Sequence, residues 1–105
     1  MPSRRNMQFA GINIAGSGQQ TIFTNPSTTQ FAYVWELYMT CAAATTIQFY
    51  DGPGAITGNI NVTAGSAFIR LDGGQQPAFI VSPNNVFNIS EGAGTQKSGY
   101  VHFSN

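Results

Sequence analysis

Phe31-Ala32-Tyr33-Val34-Trp35-Glu36-Leu37-Tyr38-Met39-Thr40-Cys41 carries the strongest strand signal in the chain. Phe31, Tyr33, Trp35, Leu37, Met39 and Cys41 share one parity, and Ala32, Val34, Glu36, Tyr38 and Thr40 share the other. A period of two sends the two sets to opposite faces of a sheet. The first set is the better core candidate, which points Glu36 outward. Downstream, Ala42-Ala43-Ala44 is too short to nucleate a helix and reads as a connection. Thr45 to Tyr50 is rich in β-branched and aromatic residues and reads as the next strand. Asp51-Gly52-Pro53-Gly54 then turns the chain.

The same grammar extends in both directions. Met7 to Ile14 and Gln19 to Thr24 are short strands separated by Ala15-Gly16-Ser17-Gly18, and Asn25-Pro26-Ser27 stops the second. Ile60 to Thr63, Ala67 to Leu71, Ala78 to Ser82, Val86 to Ser90 and Lys97 to Phe103 continue the series between turn clusters. Turn signals every eight to twelve residues predict an all-β fold: a single compact antiparallel β-sandwich, jelly-roll-like, with about eight strands. Residues 1–8 are expected to form an N-terminal arm or first strand, and residues 9–105 one sandwich domain.

Composition narrows the function. The 105 residues carry four basic and four acidic side chains, so the formal net charge is zero and only 8% of residues are charged. Ordinary domains carry about 25%. Polarity comes instead from eight Ser, ten Thr, nine Asn and eight Gln. Without a basic stripe, no nucleic-acid partner is expected, because phosphate affinity needs clustered Lys and Arg. No apolar run is long enough to span a membrane as a helix, and none follows Arg4-Arg5 as a signal peptide requires. With thirteen aromatic residues the chain has the means to build a core.

Catalytic motifs are sparse. His102 shares parity with Tyr100, opposite Val101 and Phe103, which places it on an outer face. Cys41 closes the long strand as a small hydrophobe, in no electropositive setting that would make a reactive thiolate. Of the acids, Asp51 and Asp72 precede glycines in turns, Glu36 sits on a strand, and Glu91 opens a glycine-rich loop. One His and one Cys give no metal-ligand spacing. Gly92-Ala93-Gly94-Thr95-Gln96-Lys97-Ser98 imitates a phosphate loop, but Gln96 stands where glycine is required and a strand follows, so it reads as a hairpin loop. No catalytic residue, cofactor or metal is expected.

A neutral, charge-poor domain has little repulsion to keep its copies apart. Sheet edges of soluble monomers are usually guarded by lysines, and Lys97 is the only one here. Such a chain suits a fixed place in an assembly. Arg4 and Arg5 are the one local charge excess and suit an arm that grips a neighbour.

From about Thr45 onward the chain resembles small all-β structural proteins of tailed bacteriophages. The resemblance runs through Ile47-Gln48-Phe49-Tyr50-Asp51-Gly52, Ala55-Ile56-Thr57-Gly58, Gly65-Ser66-Ala67-Phe68, Val86-Phe87-Asn88-Ile89-Ser90 and Ser98-Gly99-Tyr100-Val101-His102-Phe103. It implies a virion protein on the capsid surface, a decoration (cement) protein that forms trimers and clamps adjacent subunits of the major capsid protein. Arg4 and Arg5 then become capsid-facing, and Tyr38 and Tyr100 become interface anchors of the kind tyrosine commonly supplies. A tail, receptor-binding or glycan-binding module is the alternative. An enzyme would have to rest on His102 or Cys41.

Overall fold

A computed structural model describes residues 7–63, 68–72 and 76–105, the stretch 68–72 by its backbone. Arg4 and Arg5 lie outside the described residues, as do Gly65, Ser66 and Ala67 and the glycine that follows Asp72 in its expected turn. The described chain is all-β. Its strands are β1 (Gln8–Ile14), β2 (Gly18–Thr24), β3 (Ala32–Cys41), β4 (Thr45–Asp51), β5 (Gly54–Ala55), β6 (Ile60–Val62), β7 (Phe68–Asp72), β8 (Phe79–Val81), β9 (Val86–Glu91) and β10 (Lys97–Ser104). The addition to the strands expected is β5, a two-residue piece paired with the end of β4.

All pairings are antiparallel. The first sheet runs β1-β10-β3-β7, with β8 also on β3; the second runs β2-β9-β4-β5, with β6 also on β4. The early strands therefore pair with the late ones: β1 with β10, β2 with β9, β3 with β7 and β8, β4 with β5 and β6. Two further pairings, β10 with β3 and β9 with β4, complete the sheets. Successive strands from β1 to β4 alternate between sheets, so the connections at 15–17, 25–31 and 42–44 cross from one to the other.

Both sheets contribute to one hydrophobic core. Phe23 of β2 stacks on Phe103 of β10 with ring centroids 3.9 Å apart, and Phe49 of β4 meets Phe79 of β8 at 5.3 Å. Phe87 lies against both Phe49 and Phe79. Each fully buried side chain of this size contributes about 1.5–3 kcal/mol relative to its exposed state.

The long strand obeys its expected parity only in its second half. Leu37, Met39 and Cys41 are buried as expected, but before them Ala32 and Val34 face the core, while Phe31 is exposed and Tyr33 half-buried. The cause is a bulge. His102 pairs with Glu36 and Phe103 with Val34, which leaves Trp35 as the extra residue. An inserted residue reverses the inward parity on either side of it. Trp35 is buried without joining the core cluster; its indole Nε1 donates to Ser104 Oγ at 2.9 Å. A second bulge leaves Ile22 between Thr21–Asn88 and Phe23–Phe87, so that Ile22 and Phe23 both bury.

Candidate binding faces

The outer face of the first sheet is aromatic. Phe9 of β1, His102 of β10 and Glu36 of β3 lie in one cross-strand row, and Gly11, Tyr100 and Tyr38 in the next. Strand pairing thus brings Tyr38 and Tyr100, 62 positions apart in SEQ numbering, into direct register. Their rings stack at 5.7 Å with 17° between planes. Tyr100 also lies 4.9 Å from His102, whose imidazole packs in a T-shaped arrangement with the Phe9 ring at 5.9 Å. The Tyr100 hydroxyl donates to Glu36 Oε1 at 2.8 Å, pinning the ring across the strands. Phe9 is 75% exposed, so the row ends on an open apolar ring. On the β8 side of the same face Ile80, which alternates with the buried Phe79 and Val81, is exposed as well.

The outer face of the second sheet has a different chemistry. Gln19, Ser90 and Gln48 form one row and Thr21, Asn88 and Tyr50 the next, with Thr46 opposite Asn61. None of these side chains is charged. Ser17, Gly18, Thr46, Gln48, Asn59, Ser90, Glu91 and Gly92 enclose a groove of about 380 Å³ there.

Two of the charged side chains are buried. Glu91 and Lys97 face the core at the ends of β9 and β10, and Lys97 Nζ lies 2.6 Å from Glu91 Oε1 with neither side chain exposed. The ammonium also donates to Thr95 O at 2.6 Å and Gly16 O at 3.4 Å. Glu91 Oε2 accepts from the Thr45 hydroxyl, from Ala93 N at 2.8 Å and from Thr95 N at 3.4 Å. Burial works against the charged carboxylate, yet hydrogen bonds from Lys97, Thr45, Ala93 and Thr95 together hold its pKa at about 2. The glycine-rich segment at 92–96 is therefore the wrapping of an ion pair. It joins strands of different sheets, which corrects the hairpin expected for it.

The nucleophile and base considered from the sequence do not meet. Cys41 is buried opposite Lys97 on the inner face, where burial pushes its thiol pKa up, against the lowering effect of Lys97. His102 stands on the outer face among Tyr100 and Phe9, as its parity predicts. Asp51 is more than a turn former: Oδ1 accepts from Ser82 N at 3.1 Å and Asn85 Nδ2 at 3.0 Å, and Oδ2 from Ser82 Oγ at 2.8 Å. Among the described residues no cluster of three His, Cys, Asp or Glu side chains is placed to hold a metal ion.

No known protein family, curated protein or solved structure matches this chain.

Proposed function

We propose that this chain is a non-enzymatic structural protein of a tailed-phage virion, a capsid decoration (cement) protein on a jelly-roll β-sandwich. The strand order supports the architecture: pairing early strands with late ones and distributing them alternately between two sheets is what rolling up a long antiparallel ribbon produces. The observation that carries the functional reading is the aromatic cluster of Phe9, His102, Tyr100 and Tyr38 across two adjacent rows, bordered by Glu36, which offers a partly apolar surface to another protein. Aromatic anchors of this kind dominate protein interfaces. The residues ahead of β1 act as the capsid-facing arm, with Arg4 and Arg5 supplying its charge.

Self-association fits the edges. β1 and β2, which border the two sheets, contain no charged residue and no proline to discourage pairing with another copy. The phage resemblance makes a trimer the expected form. Cementing then works by mass action: a protein that binds the assembled lattice but not its loosened state stabilises the lattice, and many weak contacts add through multivalency.

The test is co-sedimentation of the full chain with expanded phage heads stripped of decoration, alongside light scattering of the free protein. A defined oligomer that binds heads is expected, with binding lost on deleting residues 1–6 and weakened at least tenfold by Tyr38→Ser with Tyr100→Ser. A strictly monomeric protein that ignores heads would overturn the reading.

A further inference from the structure

The groove on the second sheet has a chemistry that docking through the aromatic row does not use, and it lies on the opposite outer face. Its polar lining is Ser17 and Ser90 hydroxyls, Thr46, and the Gln48 and Asn59 carboxamides, with the small residues Gly18 and Gly92 allowing close approach. Gln48 is fixed before any ligand arrives: Nε2 donates to Thr57 O at 2.7 Å and Oε1 accepts from the Tyr50 hydroxyl at 3.0 Å. One amide N–H and one carbonyl lone pair remain beyond those bonds. Thr46 Oγ1 donates to Asn61 Oδ1 at 3.3 Å, which leaves its lone pairs to accept. Ser17, Asn59 and Ser90 make no side-chain hydrogen bond of their own among the described residues.

Charge is the discriminating property. The one acid in the wall, Glu91, spends its carboxylate on Lys97, Thr45 and the 92–96 backbone, so the groove presents donors and acceptors without net charge. An ion gains nothing there. A neutral ligand with closely spaced groups that both donate and accept matches a fixed carboxamide flanked by hydroxyls. A peptide strand would instead seek a sheet edge, where its backbone finds partners. The volume of about 380 Å³ falls at the small end of ligand sites, the range of a sugar ring or two.

We infer that this groove, lined by Thr46, Gln48, Asn59 and Ser90, is a binding site for a neutral saccharide. The inference does not depend on the capsid reading. It is tested by titrating the ¹⁵N-labelled full chain separately with D-glucose, D-galactose, N-acetyl-D-glucosamine and tetraglycine, following amide shifts. At least one sugar is expected to move the amides of Gly18, Thr46, Ser90 and Gly92 in the millimolar range, leaving Phe9, Tyr100 and His102 unmoved. The double variant Thr46→Val, Ser90→Ala is expected to keep the native spectrum and weaken those shifts at least tenfold. The inference fails if no sugar perturbs the groove, if the shifts fall on the aromatic row, if tetraglycine alone reproduces them, or if the double variant binds as before.

Discussion

Glu91 and Lys97 join at 2.6 Å where the chain passes from the second sheet to the first, and neither side chain reaches solvent. Most of the remaining hydrogen bonds come from the crossover itself, Thr95 O on the ammonium and Ala93 N and Thr95 N on the carboxylate, and the rest from Gly16 O between β1 and β2 and from the Thr45 hydroxyl of β4. No buried polar side-chain atom among the described residues is left without a partner. The pair is therefore the condition under which this end of the core closes.

Acid should open that end first. The Glu91 carboxyl is pushed up by burial but pulled further down by its hydrogen bonds, from an ordinary 4.5 to about 2. A folded-state pKa below the unfolded one means the unfolded chain binds the extra proton. The contribution is therefore complete above pH 4.5, falls as the pH descends, and is gone below about 2. Urea midpoints measured from pH 7 to pH 2 should show this loss, on the order of 3 kcal/mol. Glu91→Gln should start lower and lose less. Parallel pH profiles for the two proteins would refute the assignment.

Breaking the pair from one side should cost more than replacing both partners. Glu91→Leu or Lys97→Met strands an ion in the core, at about 3–5 kcal/mol. The double variant leaves two apolar side chains of similar volume and should recover most of that loss, though the backbone N–H groups of Ala93 and Thr95 lose their acceptor. A thermodynamic cycle by urea unfolding measures the difference. Additive single and double effects would mean that the two charges do not depend on each other.

The ion pair was legible in outline. Phe87, Ile89 and Glu91 share one parity, as do Lys97, Val101 and Phe103, so the alternation that marks the core also carries both charges into it. What hid the pair was the glycine-rich segment between them, whose composition reads as an exposed loop. His102 was placed correctly because β10 keeps its alternation, whereas Phe31 and Tyr33 were misplaced because nothing local announces a bulge at Trp35. The Tyr38–Tyr100 stack depends on register between distant strands, and the groove on strands from three parts of the chain. Neither has a local signature.

Asp51 illustrates the same gap between local pattern and long-range role. In sequence it heads a glycine turn, but its carboxylate holds Ser82 and Asn85 in the segment that leads from β8 to β9. Asp51→Ala removes three acceptor contacts and should cost about 2–3 kcal/mol, given that hydrogen bonds to charged groups are the stronger kind. Asp51→Asn keeps one acceptor oxygen and can donate to the Ser82 hydroxyl, so about half that loss is expected. Chemical denaturation of the two variants checks the order. Equal losses would mean that the retained acceptor oxygen contributes nothing and that the negative charge, which both variants remove, carries the whole effect.

Gly99 and Gly11 separate a required glycine from a tolerated one on the same sheet. Gly99 faces Met39 across β3, and a Cβ there would sit 1.9 Å from the Tyr38 carbonyl oxygen and 2.8 Å from its carbon. Those atoms are backbone, so the strands must part. Gly11 lies opposite Tyr100 with nothing within 4 Å of its missing Cβ. Gly99→Ala should therefore lose at least about 2 kcal/mol by urea unfolding and weaken the near-ultraviolet circular dichroism of the stacked tyrosines. Gly11→Ala should be neutral or more stable by up to about 1 kcal/mol, since alanine narrows the unfolded ensemble. If Gly99→Ala matches Gly11→Ala in both measurements, β10 does not press on β3 as described, and the Tyr38–Tyr100 contact is not held by that approach.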